Sequence, residues 1–195
     1  MKNILLGLTG SVAAIKHDEL VTALAALGTV QVVYSKSAYF FVKKIFPKSW
    51  DFDQGHRIYS QSLHLSVQYH IDEDEWRWYK KGDPILHIEL RKWADVMVVA
   101  PLSANSMGKI THGLCDNLLT SVVRAWDFQK PLVVAPAMNT MMMEHPVTSR
   151  QLDELQSWGV RICDPVSKTL ACGDTGIGAM ASVETIAETV KELLV

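Results

Sequence analysis

The sequence predicts a doubly wound α/β protein, a parallel sheet flanked by helices on both faces. Apolar runs of strand length, rich in Val, Ile and Leu, recur at Asn3–Leu8, Val30–Tyr34, Asp95–Ala100, Pro131–Ala135 and Val160–Cys163. Runs that are apolar at successive positions belong to strands buried on both faces. Between them, Val12–Leu27, Ile85–Trp93, Gly113–Asp127 and Thr148–Gly159 carry apolar residues at helical spacing, and strands alternating with helices are the signature of βαβ crossovers. At 195 residues and 48% hydrophobic the chain can bury one good core. A single Rossmann-like or flavodoxin-like domain over residues 1–195 is expected.

The first strand leaves through Leu8-Thr9-Gly10-Ser11-Val12. A glycine there lets the chain turn tightly into a helix, and the free amides of the helix start, with the hydroxyls of Thr9 and Ser11, would hold a phosphate. An ordinary capped helix start uses the same residues, so the junction alone does not choose. The three-glycine spacing of dinucleotide sites is missing, and the second strand ends at Ser35-Lys36-Ser37 rather than at an acidic residue, which favours a phosphate over an unmodified ribose. The stretch from residue 46 to 79 breaks the pattern with aromatic residues such as Trp50, Phe52, Tyr59, Tyr69 and Trp76. It is expected to be an irregular surface insertion.

After the third apolar run comes Ala100-Pro101-Leu102-Ser103-Ala104-Asn105-Ser106-Met107-Gly108-Lys109, a strand exit dense in small, hydrogen-bonding side chains. The next run, Pro131–Ala135, halts at Pro136-Ala137-Met138-Asn139, with Met141, Met142 and Met143 close behind. Two such exits side by side make a polar-rimmed crevice at one end of the sheet. Pro146 and Gly159 suit the start and the end of the helix between them. Three glycines in six residues, Gly173 to Gly178, predict a mobile loop over about 167–180 that can close on a small-molecule substrate.

Charge and composition narrow the partners. Nineteen basic residues against 21 acidic ones give no field to gather nucleic acid or an anionic membrane. The apolar stretch after Met1-Lys2-Asn3 is too short for a signal peptide or a membrane span. Three cysteines make no disulfide framework, so a reducing, cytoplasmic setting is expected. The seven histidines show no pair at metal-ligand spacing with a third donor, and no metal is expected. Cys115 and Cys163 are expected to be small buried apolar residues.

Taken together, Gly10-Ser11-Val12-Ala13, Gly82-Asp83-Pro84-Ile85-Leu86-His87-Ile88-Glu89-Leu90, Pro101 to Ser106, Pro136-Ala137-Met138-Asn139 and Ala171-Cys172-Gly173-Asp174 resemble, in order and over nearly the whole chain, the homo-oligomeric flavin-containing cysteine decarboxylases. The resemblance implies a homotrimeric FMN protein of coenzyme A biosynthesis. It would convert N-(4′-phosphopantothenoyl)-L-cysteine to 4′-phosphopantetheine by oxidising the substrate at its thiol-bearing carbon, losing carbon dioxide and reducing the resulting enethiol. It places FMN against Gly10, Ser11, Val12, Ser35, Lys36, Ser37, Phe41, Ser103, Ala104, Asn105, Ser106 and Ala137. The substrate falls against Asn139, Met142, Thr169, Ala171 and Met180.

The same resemblance assigns the chemistry to three residues. His87 is the base; on spacing alone it is an ordinary helix residue, but an imidazole suits proton transfer near neutrality. Asn139 grips the substrate carboxylate, although an asparagine there also suits a turn. Cys172 supplies the proton in the final reduction. Thr169 stands where plant-like members carry arginine, with Lys168 or Arg91 as possible substitutes, and Met143 stands where many have tryptophan. Two related activities fit part of the pattern: a peptidyl-cysteine decarboxylase, which stops at the enethiol and needs no reducing cysteine, and a regulatory phosphatase-binding relative.

Overall fold

A computed structural model of the chain describes residues 1–45, 58–59, 66–77, 80–169 and 175–194. Strand β1 (Lys2–Leu8) leads through a 3-10 turn (Val12–Lys16) into α1 (His17–Ala25) and β2 (Gly28–Tyr34), followed by α2 (Lys36–Ile45). A two-residue strand β3 (Ile58–Tyr59) and β4 (Ser66–His70) come next, then the short α3 (Asp72–Glu75) and α4 (Leu86–Trp93). The second half runs β5 (Val96–Leu102), α5 (Ala104–Thr111), α6 (Leu118–Arg124), β6 (Leu132–Pro136), α7 (Thr140–Met143), α8 (Pro146–Ser157) and β7 (Arg161–Ile162). A hairpin, β8 (Val166–Thr169) and β9 (Thr175–Ala179), precedes the closing helix α9 (Val183–Leu193).

The sheet order is β3-β4-β2-β1-β5-β6-β7, with β3 antiparallel at the edge and the other six parallel. In order of appearance the parallel strands stand 3-2-1-4-5-6, the doubly wound arrangement whose direction reverses between β1 and β5. Side chains alternate across it. Ile4, Leu6, Leu8, Val98 and Val133 face the layer that holds α1 and α9, whereas Leu5, Met97, Val99 and Val134 face the layer of α4, α5, α6 and α8. Both faces are buried, which is why these strands read as unbroken apolar runs. Each fully buried aliphatic side chain contributes about 1.5–3 kcal/mol.

The structure corrects the expected surface insertion. Much of 46–79 lies outside the described residues, but Ser66–His70 forms β4, paired in parallel with β2 at Gln31↔Gln68, Val32↔Tyr69 and Val33↔His70. Val67 and Tyr69 are only 4% and 3% exposed. In this part the supposed insertion is core. Helix α8 starts at Pro146 and stops before Gly159, whose φ of +85° provides the left-handed exit. Cys163 is buried, and burial pushes its thiol up in pKa, but Cys115 is exposed rather than buried.

Candidate active site

Where the winding reverses, the carboxyl ends of β1 and β5 diverge and leave a crevice. Thr9 joins its two walls. Its fully buried hydroxyl donates to the Pro101 carbonyl at 2.8 Å and accepts from the Ser103 N–H at 2.7 Å, and its own N–H donates to the Pro101 carbonyl at 3.2 Å. Thr9 is therefore a brace between strands and not the phosphate ligand expected from its place in the sequence. Gly10 is needed for closeness rather than for an unusual φ: a Cβ there would stand 2.5 Å from the Ser37 Cβ. Ser11 caps the 3-10 turn, accepting from the Ala13 N–H.

The crevice opens into a cavity of about 270 Å³. One side is made by Gly10, Ser35, Lys36 and Ser37, the other by Ser103, Asn105, Ser106 and Lys109, and the remainder by Asp72, Asp116 and Asn117. Three helices begin here. Ser35 accepts from the Ala38 N–H in the first turn of α2, Ser103 caps α5 through the Ser106 N–H, and Asn117 caps α6 through the Thr120 N–H. Converging helix starts, hydroxyls and a lysine form a cradle for a phosphate-bearing group. The acidic side chains are already engaged. Lys109 binds Asp116 at 2.6 Å, and this hydrogen bond holds the Asp116 carboxyl below its usual range. Asp72 accepts from the N–H groups of Leu118 and Lys36, while its burial pushes its pKa up.

Five expected cofactor residues, Ser11 among them, lie outside that wall. Val12 is 44% exposed, Phe41 packs from α2 against the core, Ala104 opens α5 against the opposite core, and Ala137 is buried. The end of β6 carries the next part of the site. Ala137 N–H donates to the Leu102 carbonyl, and Asn139 caps α7, its Oδ1 accepting from the Met141 N–H at 2.8 Å. Met142 stays 48% exposed. The β8–β9 hairpin lies against this segment: Met138 N–H donates to the Gly178 carbonyl, and a Cβ on Gly178 would meet the Met138 carbonyl oxygen at 2.3 Å. Glycine is required there by contact as well as by its φ of +152°.

The hairpin pairs Thr169 with Thr175. Ala171 and Cys172 lie between them in sequence, outside the described residues. Met180, expected at the substrate, is instead 7% exposed and part of the core cluster that includes α9. Arg91, a possible stand-in for the missing arginine, gives its Nε–H to the Ala125 carbonyl at 2.8 Å. His87 is the second residue of α4, and its Nδ1 lies 2.5 Å from Glu75 Oε1. Among the described residues no hydrogen bond is seen between it and Asn139. Among the described residues no group of three His, Cys, Asp or Glu side chains is placed to hold a metal ion.

The profile of the family described as Flavoprotein matches residues 1–195. The chain belongs to the Flavoprotein family. Within it, the chain is 49% identical over 189 residues to phosphopantothenoylcysteine decarboxylase of Arabidopsis thaliana, covering 96% of this chain and 83% of that one. Two solved structures are similar throughout. A cysteine-to-serine mutant of PPC decarboxylase complexed with pantothenoylaminoethenethiol superposes with a TM-score of 0.88 at 47% identity, covering 99% of this chain and 98% of the other. The FMN binding protein AtHal3 gives 0.83 at 48% identity, covering 98% and 95%.

Sequence reasoning missed two groups in this flavoprotein. Asp72 belongs to the cavity and Glu75 to His87, yet both sit in a stretch assigned to an insertion. The run Asp72-Glu73-Asp74-Glu75 just before the His87 segment was the available signal, since acidic residues gather at helix starts. Lys109 stood in a run already singled out, whereas Asp116 and Asn117 fell inside an expected helix that in fact begins at Leu118, and their meeting needs the turn between α5 and α6.

Proposed function

We propose that the chain is an FMN-dependent decarboxylase that converts N-(4′-phosphopantothenoyl)-L-cysteine to 4′-phosphopantetheine in coenzyme A biosynthesis. The observation that carries this is the full-length match, at 47% identity and a TM-score of 0.88, to PPC decarboxylase complexed with pantothenoylaminoethenethiol. The cavity fits the cofactor's phosphate: Ser35, Ser37 and Ser106 offer hydroxyls, Lys36 a charge, and Gly10 leaves the space a Cβ would fill. FMN, when bound, supplies the two-electron acceptor and donor that leaves no net oxidation.

The chain's own residues handle charge and protons. His87 takes the substrate's thiol proton at a ring nitrogen. Asn139, whose Oδ1 is engaged by the Met141 N–H, offers its Nδ2 hydrogens to the substrate carboxylate. A neutral donor orients that group without the ionic stabilisation that would oppose loss of its charge as carbon dioxide. Met142, Thr169 and Ala171 are the residues assigned to the substrate. Cys172 gives its thiol proton to the enethiol carbon in the last reduction. The active form is a homotrimer in a reducing, cytoplasmic compartment.

The test is to incubate the FMN-loaded protein with phosphopantothenoylcysteine and follow product masses. Loss of carbon dioxide without loss of two hydrogens is expected. Cys172→Ser should still release carbon dioxide but stop at the product lighter by two hydrogens, one equivalent per site, with FMN left reduced. Normal 4′-phosphopantetheine output from that variant removes Cys172 from the mechanism, and a protein that binds no FMN overturns the reading altogether.

A further inference from the structure

Proton transfer by His87 requires one bare ring nitrogen, and the fold decides which one. Glu75, the last residue of α3, directs both carboxylate oxygens at the same partner: Oε2 accepts from the His87 main-chain N–H at 3.1 Å, and Oε1 lies 2.5 Å from Nδ1. The main-chain bond has a local cause. Helix α4 starts after Ile85, which has no side-chain cap, so the N–H groups of its first turn lack partners. A carboxylate at that position satisfies one of them and suits the helix dipole.

That anchorage fixes the carboxylate, and the carboxylate then fixes the ring. An ionised carboxylate only accepts, so Nδ1 must carry the hydrogen and Nε2 is left bare in the neutral imidazole. The pair is partly shielded, with side chains 14% and 26% exposed, where a charge-assisted bond holds better than on an open surface. Helix α3 is tied to α6 and stiffened within itself. Asp72 at its start binds the Leu118 N–H of α6, and Asp74 accepts from the Ile71 N–H and pairs with Arg77 at 3.0 Å.

We propose that Glu75 is the positioning residue for His87, holding the Nδ1–H tautomer so that Nε2 is the proton acceptor presented to the substrate. The inference rests on the assignment of His87 as base. Because Glu75 and His87 belong to one chain, the pair travels together whichever subunit's flavin it serves.

The test uses FMN-loaded Glu75→Gln. Glutamine keeps the size but has one oxygen: when that oxygen accepts from the His87 N–H, the amide NH2 faces Nδ1 and donates to it, which favours the other tautomer. A fall in kcat of about 10- to 100-fold is expected, by analogy with the loss of a partner that orients a metal-bound histidine, with KM and melting temperature nearly unchanged. Nitrogen-15 spectra of labelled histidines, with His87 assigned by its loss in His87→Gln, should show a bare Nε2 in the parent protein and a mixture of tautomers in Glu75→Gln. A parent His87 with bare Nδ1, or a Glu75→Gln protein with unchanged kcat and tautomer, overturns the proposal. Should His87→Gln retain turnover, the assignment of the base fails, while the spectra of the parent protein still decide what Glu75 does to the ring.

Discussion

Asn139 has two ends with separate duties. Its Oδ1 caps α7 through the Met141 N–H at 2.8 Å, and its Nδ2 hydrogens are the donors proposed for the substrate carboxylate. Asn139→Asp separates them, because aspartate caps a helix as well as asparagine does but meets a carboxylate with repulsion. The variant should still fold, while kcat/KM falls at least about 100-fold, the scale of losing a donor and adding a like charge. Steady-state rates beside a thermal melt decide it, and unchanged kcat/KM would remove Asn139 from substrate binding. At this scale the sequence was informative about residue types and poor at engagement. Thr9 looks like a phosphate ligand in a strand exit, and only its two buried hydrogen bonds show that its hydroxyl is already committed. Met180 reads as a substrate contact and lies in the core.

Elements meet at the site through their first turns, and two predictions concern those junctions. Thr9→Val keeps the shape but leaves the buried Ser103 N–H without its acceptor, which should cost about 1–3 kcal/mol. Denaturant unfolding measures this, and a loss below that range would show that the brace is dispensable. Asp72, which bridges the starts of α2 and α6, has its pKa raised chiefly by burial. A carboxyl whose folded value exceeds its unfolded one binds its proton more tightly when folded, so its contribution is present at low pH and is lost as pH rises through the folded value. In FMN-stripped protein, Asp72→Asn should therefore gain in melting temperature relative to the parent as pH rises from about 4 towards 6, the range just above the ordinary aspartate value. A difference that stays flat or reverses over that range contradicts the burial effect. The strands that make the sheet centre were legible because both faces are apolar. Strand β4 was not, since Ser66-Val67-Gln68-Tyr69-His70 alternates and is short. Helices α2 and α5 escaped notice as well: α5 holds Asn105, Ser106 and Gly108, weak helix formers, and its Ser103 cap and its packing against the core stabilise it.

The whole molecule presents an apolar surface that its own fold leaves open. Leu114 and Phe128 are 56% and 41% exposed and line, with Val123 and Trp158, a cavity of about 460 Å³ on the layer of α5, α6 and α8. Exposed apolar surface of this kind accompanies subunit contacts. Light scattering on the FMN-loaded protein should give three times the chain mass, in keeping with the proposed trimer. A fully active monomer at the same concentration would contradict it. Among the described residues no helix is long and apolar enough to cross a membrane.

By itself the sequence determined the doubly wound class and the strand exits that carry Gly10, Ser35, Ser103 and Asn139, because burial on both faces and chain reversal at strand ends leave local marks. Only the tertiary structure decided which of those side chains remain available and which are braces. It alone brought Asp72 to two helix starts and Glu75 to His87. Hydrogen bonds between distant segments depend on the packing of whole layers, and no spacing along the chain encodes where those layers meet.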